Sequence, residues 1–364
     1  MKIAFYGSSL LSAYWNGAAT YYRGLLRELA GRGYEVTFYE PDAFGRQEHR
    51  DIEPPEWAKV VVYPVEDRAL REVIGEASAA DVVVKASGVG VFDDALLAGV
   101  MKAASTHAVK VFWDVDAPAT LAELRSGGEE TLHGWLPRLD LVLTYGGGPP
   151  VVSAYQAFGA RECRPIYNAV DPTTHHPAEA RDAFAGDLSF LANRLPDREA
   201  RVESFFLAAA ERSPDRRFVL GGSGWDDKPM PANVTRVGYV GTTDHNAFNC
   251  SSRAVLNVAR DSMAEIGFSP ATRVFEAAGA GACLITDAWE GIELFLKPGE
   301  EVLVARDGVD VAELLDGLTA ERAAQIGEAA LARVLAEHTY AKRAAETDRL
   351  LRAELAAKRE RSLA

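Results

Sequence analysis

Residues 267–291 read GFSPATRVFEAAGAGACLITDAWEG. Ser269 suits a helix N-cap, and Pro270 suits the first helical position, where a missing N–H has no partner to lose. The pattern predicts a helix from there through Glu276 to about Ala280. Gly279 and Gly281 end it and let backbone approach a sheet or a ligand closely. The apolar run ACLITD then predicts a strand, and helix followed by buried strand is the unit of a parallel α/β sheet. Arg273 and Glu276 are three apart and share a helix face. Free N–H groups and a positive dipole end at the helix start suit a diphosphate, to which Arg273 adds charge. One turn on, Glu276 can accept two hydrogen bonds from a sugar diol such as ribose. The same spacing also fits an ordinary surface ion pair.

Working outward, β-rich runs alternate with helical patterns along the whole chain. KIAFYG, EVTFYE, KVVVYPV, DVVVKAS, VKVFWDVD and LVLTYGGG come first, with helical segments such as AATYYRGLLRELAGRG between them. Nearly continuous apolar strands separated by helices predict a parallel sheet covered on both faces. Residues 165–187 hold three prolines and little periodicity, and predict a linker. LSFLAN, RFVLGGSG, TRVGYV, AVLNVARD, ACLITD and EVLVARD then restart the pattern. The expected fold is two tandem Rossmann-like doubly wound domains with a cleft between them. The expected boundaries are 1–172, 173–345, and a C-terminal helix 346–364 open to packing back on the first domain. The tail from about Leu318 is rich in Ala, Glu, Arg and Leu and should be helical.

The 364 residues carry 39 basic and 53 acidic side chains, a net charge of −14. That sign disfavours nucleic acid and anionic membrane as partners. The three cysteines, Cys163, Cys250 and Cys283, have no paired spacing and read as reduced thiols of a cytoplasmic protein. MKIAFYG reads as a first strand rather than a targeting segment, and no apolar run reaches the roughly 20 residues of a membrane helix.

The run LNVARDSMAEIGFSPATRVFEAAGAGACLITDAWEGIELFLKPGEEVLVARD resembles the C-terminal domain of group 1 glycosyltransferases of GT-B fold. It is most similar to the branch resembling the spore-maturation protein CgeB, and the similarity spans about Asp187 to Leu351. The resemblance implies a nucleotide-sugar donor on the second domain, with Glu276 on its ribose. It departs at one place. Many retaining relatives carry a second glutamate eight positions earlier, which here is Phe268. The nearest acid, Glu265, is three residues out of register.

Other candidates follow from the same resemblance. In FLANRLPDREARV, Asn193, Arg194 and Arg198 correspond to groups that approach the donor phosphates, although capping and solvation of the next helix would explain them equally. Gly222 in VLGGSGW lets backbone approach a ligand or makes a tight turn. Gly238, Tyr239 and Val240 correspond to a base pocket, with a core role for Tyr239 equally open. Ser269 joins them as the start of the glutamate helix.

The first half offers GSSLLSAYWNGAATYYRGLL, which does not fit G-x-G-x-x-G. Asn16 and Gly17 there could meet acceptor or diphosphate, or Asn16 could cap the helix. In VFWDVDAPA, alternation sends Asp114 and Asp116 to one side at a strand end, where two carboxylates could position or deprotonate an acceptor hydroxyl; turn formation is the alternative. Lys85 ends a buried-type strand and could meet a phosphate, or snorkel to solvent.

The seven histidines form no metal pattern in sequence, and His175-His176 lack a third ligand nearby in the chain. No cofactor and no metal are expected. Arg273, Arg194 and the helix start would stabilise the leaving diphosphate electrostatically. The expectation is a metal-independent glycosyltransferase of hexosyltransferase type, using a UDP-sugar and an unknown acceptor, with retention and with Asp114, Asp116 and Arg273 catalytic. A homodimer is allowed, the oligomeric state open. A sugar-nucleotide epimerase and a non-catalytic nucleotide-sugar-binding protein are the alternatives.

Overall fold

A computed structural model describes residues 1–14 and 16–363. The chain forms two compact units, Met1–Tyr167 with Tyr340–Ala364, and Asn168–Thr339. The expected boundaries at 172/173 and 345/346 thus move to 167/168 and 339/340. The helical tail is split at His338 and Thr339: Ala320–Glu337 belongs to the second unit and Tyr340–Leu363 to the first.

In the first unit the strands are β1 Lys2–Tyr6, β2 Glu35–Asp42, β3 Ala58–Pro64, β4 Val82–Ala86, β5 Val109–Asp114, β6 Leu141–Thr144 and β7 Cys163–Pro165. They form one sheet in the order β3-β2-β1-β4-β5-β6-β7, with every pair parallel. All five residues of β4 are buried, as a parallel strand covered on both faces requires. Phe5 stacks on Phe38 with ring centroids 5.2 Å apart. Such fully buried rings contribute about 1.5–3 kcal/mol each. The helix Ala18–Gly31 packs on the helix Tyr340–Leu363, and Gly24 is what allows it: a Cβ there would lie 2.2 Å from the Tyr340 ring.

In the second unit the strands are β8 Gly186–Leu191, β9 Phe218–Gly221, β10 Val234–Gly238, β11 Ser252–Asn257, β12 Leu284–Asp287 and β13 Leu303–Ala305. The sheet order is β10-β9-β8-β11-β12-β13, again parallel throughout. Its core gathers Phe190, Phe206, Phe218, Leu220, Leu256 and Ile285.

Both units are therefore doubly wound. In each, strand order reverses beside the first strand, between β1 and β4 and between β8 and β11. Ligands of open α/β sheets bind outside the carboxyl ends of the strands at such reversals. The residues that matter are thus those just after β1, β4 and β5, and those just after β8 and β11.

Candidate functional site

In the second unit the loops after β8, β9 and β10 are laced by backbone. Ala192 donates to the Gly221 carbonyl (3.0 Å), Arg194 to Ser223 (2.9 Å), and Gly222 to Gly238 (2.7 Å). Asn193 belongs to this lacing: its Oδ1 accepts from the Ser223 amide at 3.0 Å. Gly222 has φ +114, and a Cβ there would stand 2.1 Å from the Ala192 carbonyl oxygen. Its role is this close backbone approach. Gly222→Ala should therefore destabilise the protein by about 2 kcal/mol or more, read as a lowered thermal midpoint.

Arg194 does not reach toward a donor. It pairs with Glu199 at 2.7 Å and with Asp227 at 2.8 Å, and these bonds raise its pKa. Lys228 completes the network. A guanidinium held by two carboxylates has its charge neutralised and four of its five N–H groups engaged, so the expectation of a donor-binding Arg194 is corrected. Arg194→Ala should leave UDP affinity within about twofold by calorimetry.

Arg198 behaves differently. It lies in the first turn of the helix Pro196–Val202, and Nη2 turns back to the Asn193 carbonyl at 2.8 Å. Its Nε is buried without a hydrogen-bond partner. Burial, and next the charge of Arg273, push its pKa down to about 10. Arg273 sits over the Phe190 ring at 5.6 Å, its own pKa lowered by burial and only partly restored by the charge of Glu276. No carboxylate among the described residues comes within 4 Å of either guanidinium. Arg260, after β11, adds a third like charge near Arg198 and is paired with Asp197. Like charges gathered around a partly buried arginine whose pKa they lower mark a candidate anion site.

The helix carrying Arg273 and Glu276 spans Thr272–Gly279. It starts later than the sequence suggests. Ala271 is the N-cap residue, without a side-chain cap, and Ser269 is buried with Oγ donating to the Gly267 carbonyl at 2.9 Å. The N-cap role of Ser269 is therefore corrected: its hydroxyl closes the turn before the helix. The small residues do bring this helix close to its neighbours, because a Cβ on Gly279 would stand 2.5 Å from Val170 and 3.2 Å from the His175 carbonyl. Arg273 and Glu276 form no ion pair with each other. The Glu276 side chain is 17% exposed, with Oε1 3.9 Å from Nε2 of buried His175.

At the base-pocket positions, Val240 is buried against Val219 and Phe248, so its side chain is core. Tyr239 is 75% exposed, which excludes the core reading and leaves an aromatic face free. Gly238 has φ +70 with open space where a Cβ would project. Phe268 has φ +49 and lies against Gly291, where a Cβ would collide with its ring at 2.3 Å. Glu265 is exposed on the helix Asp261–Ile266.

In the first unit, Asp114 is fully buried. Its oxygens accept from Ser87 Oγ (2.8 Å), Thr120 Oγ1 (3.0 Å), Tyr155 Oη (2.5 Å) and the Asp116 amide (3.0 Å). Burial raises its pKa against these bonds. A carboxylate so enclosed cannot meet an acceptor hydroxyl, and the expectation of a catalytic Asp114 is corrected. Strand alternation fails at Asp116 because the chain leaves β5 there, making Asp116 the N-cap residue of the helix Ala117–Ser126.

Asp116 lines a cavity of about 270 Å³ with Lys85, Asp93, Asp94 and Glu129. Lys85 is buried and paired with Asp93, so it neither snorkels nor offers a free cation. Asn16 has both its acceptor and its donors occupied inside its own loop, by Ser8 Oγ and the carbonyls of Ser9 and Ser12. It knits the loop rather than capping the helix or reaching for a ligand. Gly17 is the exposed N-cap residue of the helix Ala18–Gly31.

Sequence reasoning missed three arrangements. Buried Glu40 accepts from the Leu11 amide, Ser9 Oγ and Gln47, and so shapes the loop after β1. Buried Asp287 pairs with Arg201 at 2.6 Å and accepts from the Ala259 amide. His175 and His245 converge on Glu276 from 101 and 31 residues away, a separation that no motif spacing signals.

Residues 198–349 match the family model described as glycosyl transferase-like. No curated protein sequence matches the chain. Among solved structures it is similar to a sucrose-phosphate synthase from Thermosynechococcus elongatus, at 15% identity and a TM-score of 0.71, covering 98% of this chain and 100% of that one. It is also similar to Anabaena HepE, solved with UDP and glucose, at 14% identity and a TM-score of 0.68, covering 97% and 100%. AviGT4, a glycosyltransferase involved in avilamycin A biosynthesis, matches at 19% identity and a TM-score of 0.61, covering 98% of each chain. At such identities the likeness shows the fold, which is the two-domain Rossmann-like architecture of GT-B glycosyltransferases. No helix among the described residues is long and apolar enough to cross a membrane.

Proposed function

We propose that this protein is a glycosyltransferase of hexosyltransferase type that moves a sugar from a UDP-sugar to an acceptor hydroxyl, with retention and without a catalytic metal. Within the GT-B group, the order of motifs after Asp187 favours the branch resembling CgeB. The observation that carries the reading is the pair Arg198 and Arg273. Each guanidinium is disfavoured by burial, Arg198 also by the charge of Arg273, neither has a carboxylate partner within 4 Å, and Arg273 lies near Glu276. A nucleoside diphosphate fits this set: its phosphates neutralise the two arginines, and its ribose diol donates to Glu276. Exposed Tyr239 offers a face on which the base stacks. HepE binds UDP and glucose in its own structure, which suits the choice of uridine.

In transfer, negative charge accumulates on the departing diphosphate. Arg198 and Arg273 stabilise it where it develops, without any proton leaving a side chain. In this reading Asp116, which lines the first unit's cavity, orients the acceptor hydroxyl. The reduced cysteines and acidic charge favour a cytoplasmic setting.

A nucleotide-binding protein without turnover is the second reading. It is favoured by Phe268, whose left-handed backbone and packing on Gly291 leave no carboxylate at that position. A panel of UDP-sugars separates the readings. Slow release of UDP supports transfer, conversion of the sugar indicates epimerisation, and binding without either indicates a binding protein. Glu276→Ala should weaken UDP affinity by roughly 10- to 100-fold by calorimetry at an unchanged melting temperature, the worth of a charge-assisted hydrogen-bond pair. Unchanged affinity would remove Glu276 from the site.

A further inference from the structure

Three side chains that the sequence keeps far apart meet in the second unit. One ring nitrogen each of His175 and His245 and one carboxylate oxygen of Glu276 lie within 4.8 Å of one another. His175 Nε2 is 3.9 Å from Glu276 Oε1, too long for a hydrogen bond.

The other nitrogen of His175 decides what lies at Nε2. Nδ1 is 3.0 Å from Thr174 Oγ1. That hydroxyl has one proton, and the Asp171 carbonyl accepts from it at 3.2 Å. The arrangement that satisfies both contacts has Thr174 accepting from Nδ1–H. In the neutral ring, Nε2, 3.9 Å from Glu276 Oε1, then carries the lone pair. Lone pair and carboxylate repel each other at this distance, and a cation that both coordinate turns the repulsion into attraction.

His245 supplies the third donor. One of its ring nitrogens lies within 4.8 Å of the ligand atoms of His175 and Glu276. Histidines that ligate metal are typically fixed, as His175 is by Thr174, by a partner outside the metal's reach.

We propose that His175, His245 and Glu276 bind a divalent transition-metal ion, with zinc the best match, and that the ion and the donor ribose exclude each other. Two imidazoles and one carboxylate suit zinc, with a fourth position left for water, whereas magnesium prefers an all-oxygen shell. Ligand distances of about 2.0–2.2 Å require the donors to draw together by roughly 1 Å, which the partly exposed Glu276 side chain allows. The mutual exclusion rests on Glu276 serving the ribose, as proposed above; the metal site itself does not. Transfer needs no metal in this scheme, and the ion acts as a brake on donor binding.

The test titrates zinc chloride into the nucleotide-free protein by calorimetry, for wild type, His245→Gln and Glu276→Gln. One equivalent is expected to bind wild type, with affinity at least about tenfold weaker in each variant. No zinc binding to wild type, or equal binding in His245→Gln, overturns the site. Cobalt chloride gives a readout that needs no variant: wild type should develop the intense visible bands of a four-coordinate ion, and a spectrum no stronger than that of aqueous cobalt overturns the site.

UDP affinity is then measured with and without saturating zinc. It should fall at least about tenfold in wild type and much less in His245→Gln, a comparison that cancels chelation of zinc by UDP itself. Equal losses in both proteins overturn mutual exclusion. A zinc-free Glu276→Ala protein that binds UDP like wild type instead refutes the ribose assignment, and leaves the calorimetric result on zinc standing.

Discussion

Asp114→Ala is expected to unfold the first unit about 3 kcal/mol more easily than wild type, an effect measured as a lower urea midpoint. The variant strands the buried Tyr155 hydroxyl and removes an acceptor from the largely buried hydroxyls of Ser87 and Thr120, and each unsatisfied buried group costs about 1–3 kcal/mol. Thr120 retains the Asp116 carbonyl as a second acceptor, so the full sum is not reached. Asp114→Asn should fall between the two, since its carbonyl oxygen still accepts from Tyr155 while its amide meets groups that already donate. Asp116→Ala keeps the backbone amide that donates to Asp114 and should leave the midpoint within about 0.5 kcal/mol. An Asp114→Ala protein of normal stability that had lost transfer would restore Asp114 as a catalytic group.

Arg198→Met should do the opposite, losing function while keeping or gaining stability. A charge-assisted bond to a phosphate contributes about 1.5–3 kcal/mol, so UDP affinity should fall roughly 10- to 150-fold. The nucleotide-free protein loses a buried charge that repels Arg273 and gains an apolar side chain of similar length, so its melting temperature should not fall. Such a trade-off marks a group held in place for a ligand. Unchanged UDP affinity with a lowered melting temperature would make Arg198 structural.

The fold was legible because its signals are local. Runs such as DVVVKAS and AVLNVARD announce buried parallel strands by composition alone, and the restart after residue 187 announces a second sheet. Strand β7 escaped notice because three residues, Cys163–Pro165, carry no periodicity. The last helix starts at Tyr340 and belongs to the first unit because Gly24 admits the Tyr340 ring, a contact between residues 316 positions apart.

Individual side chains were read less well, for a consistent reason. Asn16, Ser269 and Arg194 are polar residues at plausible ligand positions, but each finds its partners inside the protein, and which partners fold against a loop is a tertiary fact. Asp114 followed the alternation rule into the wrong environment because β5 ends there and the chain turns into a helix. Arg198 is named from its resemblance to a position in a known family, whereas Glu276 follows from its helical spacing with Arg273 and is supported by that resemblance. The convergence of His175 and His245 on that glutamate has no counterpart in linear spacing.

The central claim is that Glu276 holds the ribose of a nucleotide whose phosphates lie against Arg198 and Arg273. A crystal structure of the protein with UDP tests it most directly. The account predicts a ribose hydroxyl within about 3.2 Å of a Glu276 carboxylate oxygen and phosphate oxygens at both guanidinium groups. UDP bound elsewhere, with Glu276 still beside His175 and both arginines untouched, would contradict it.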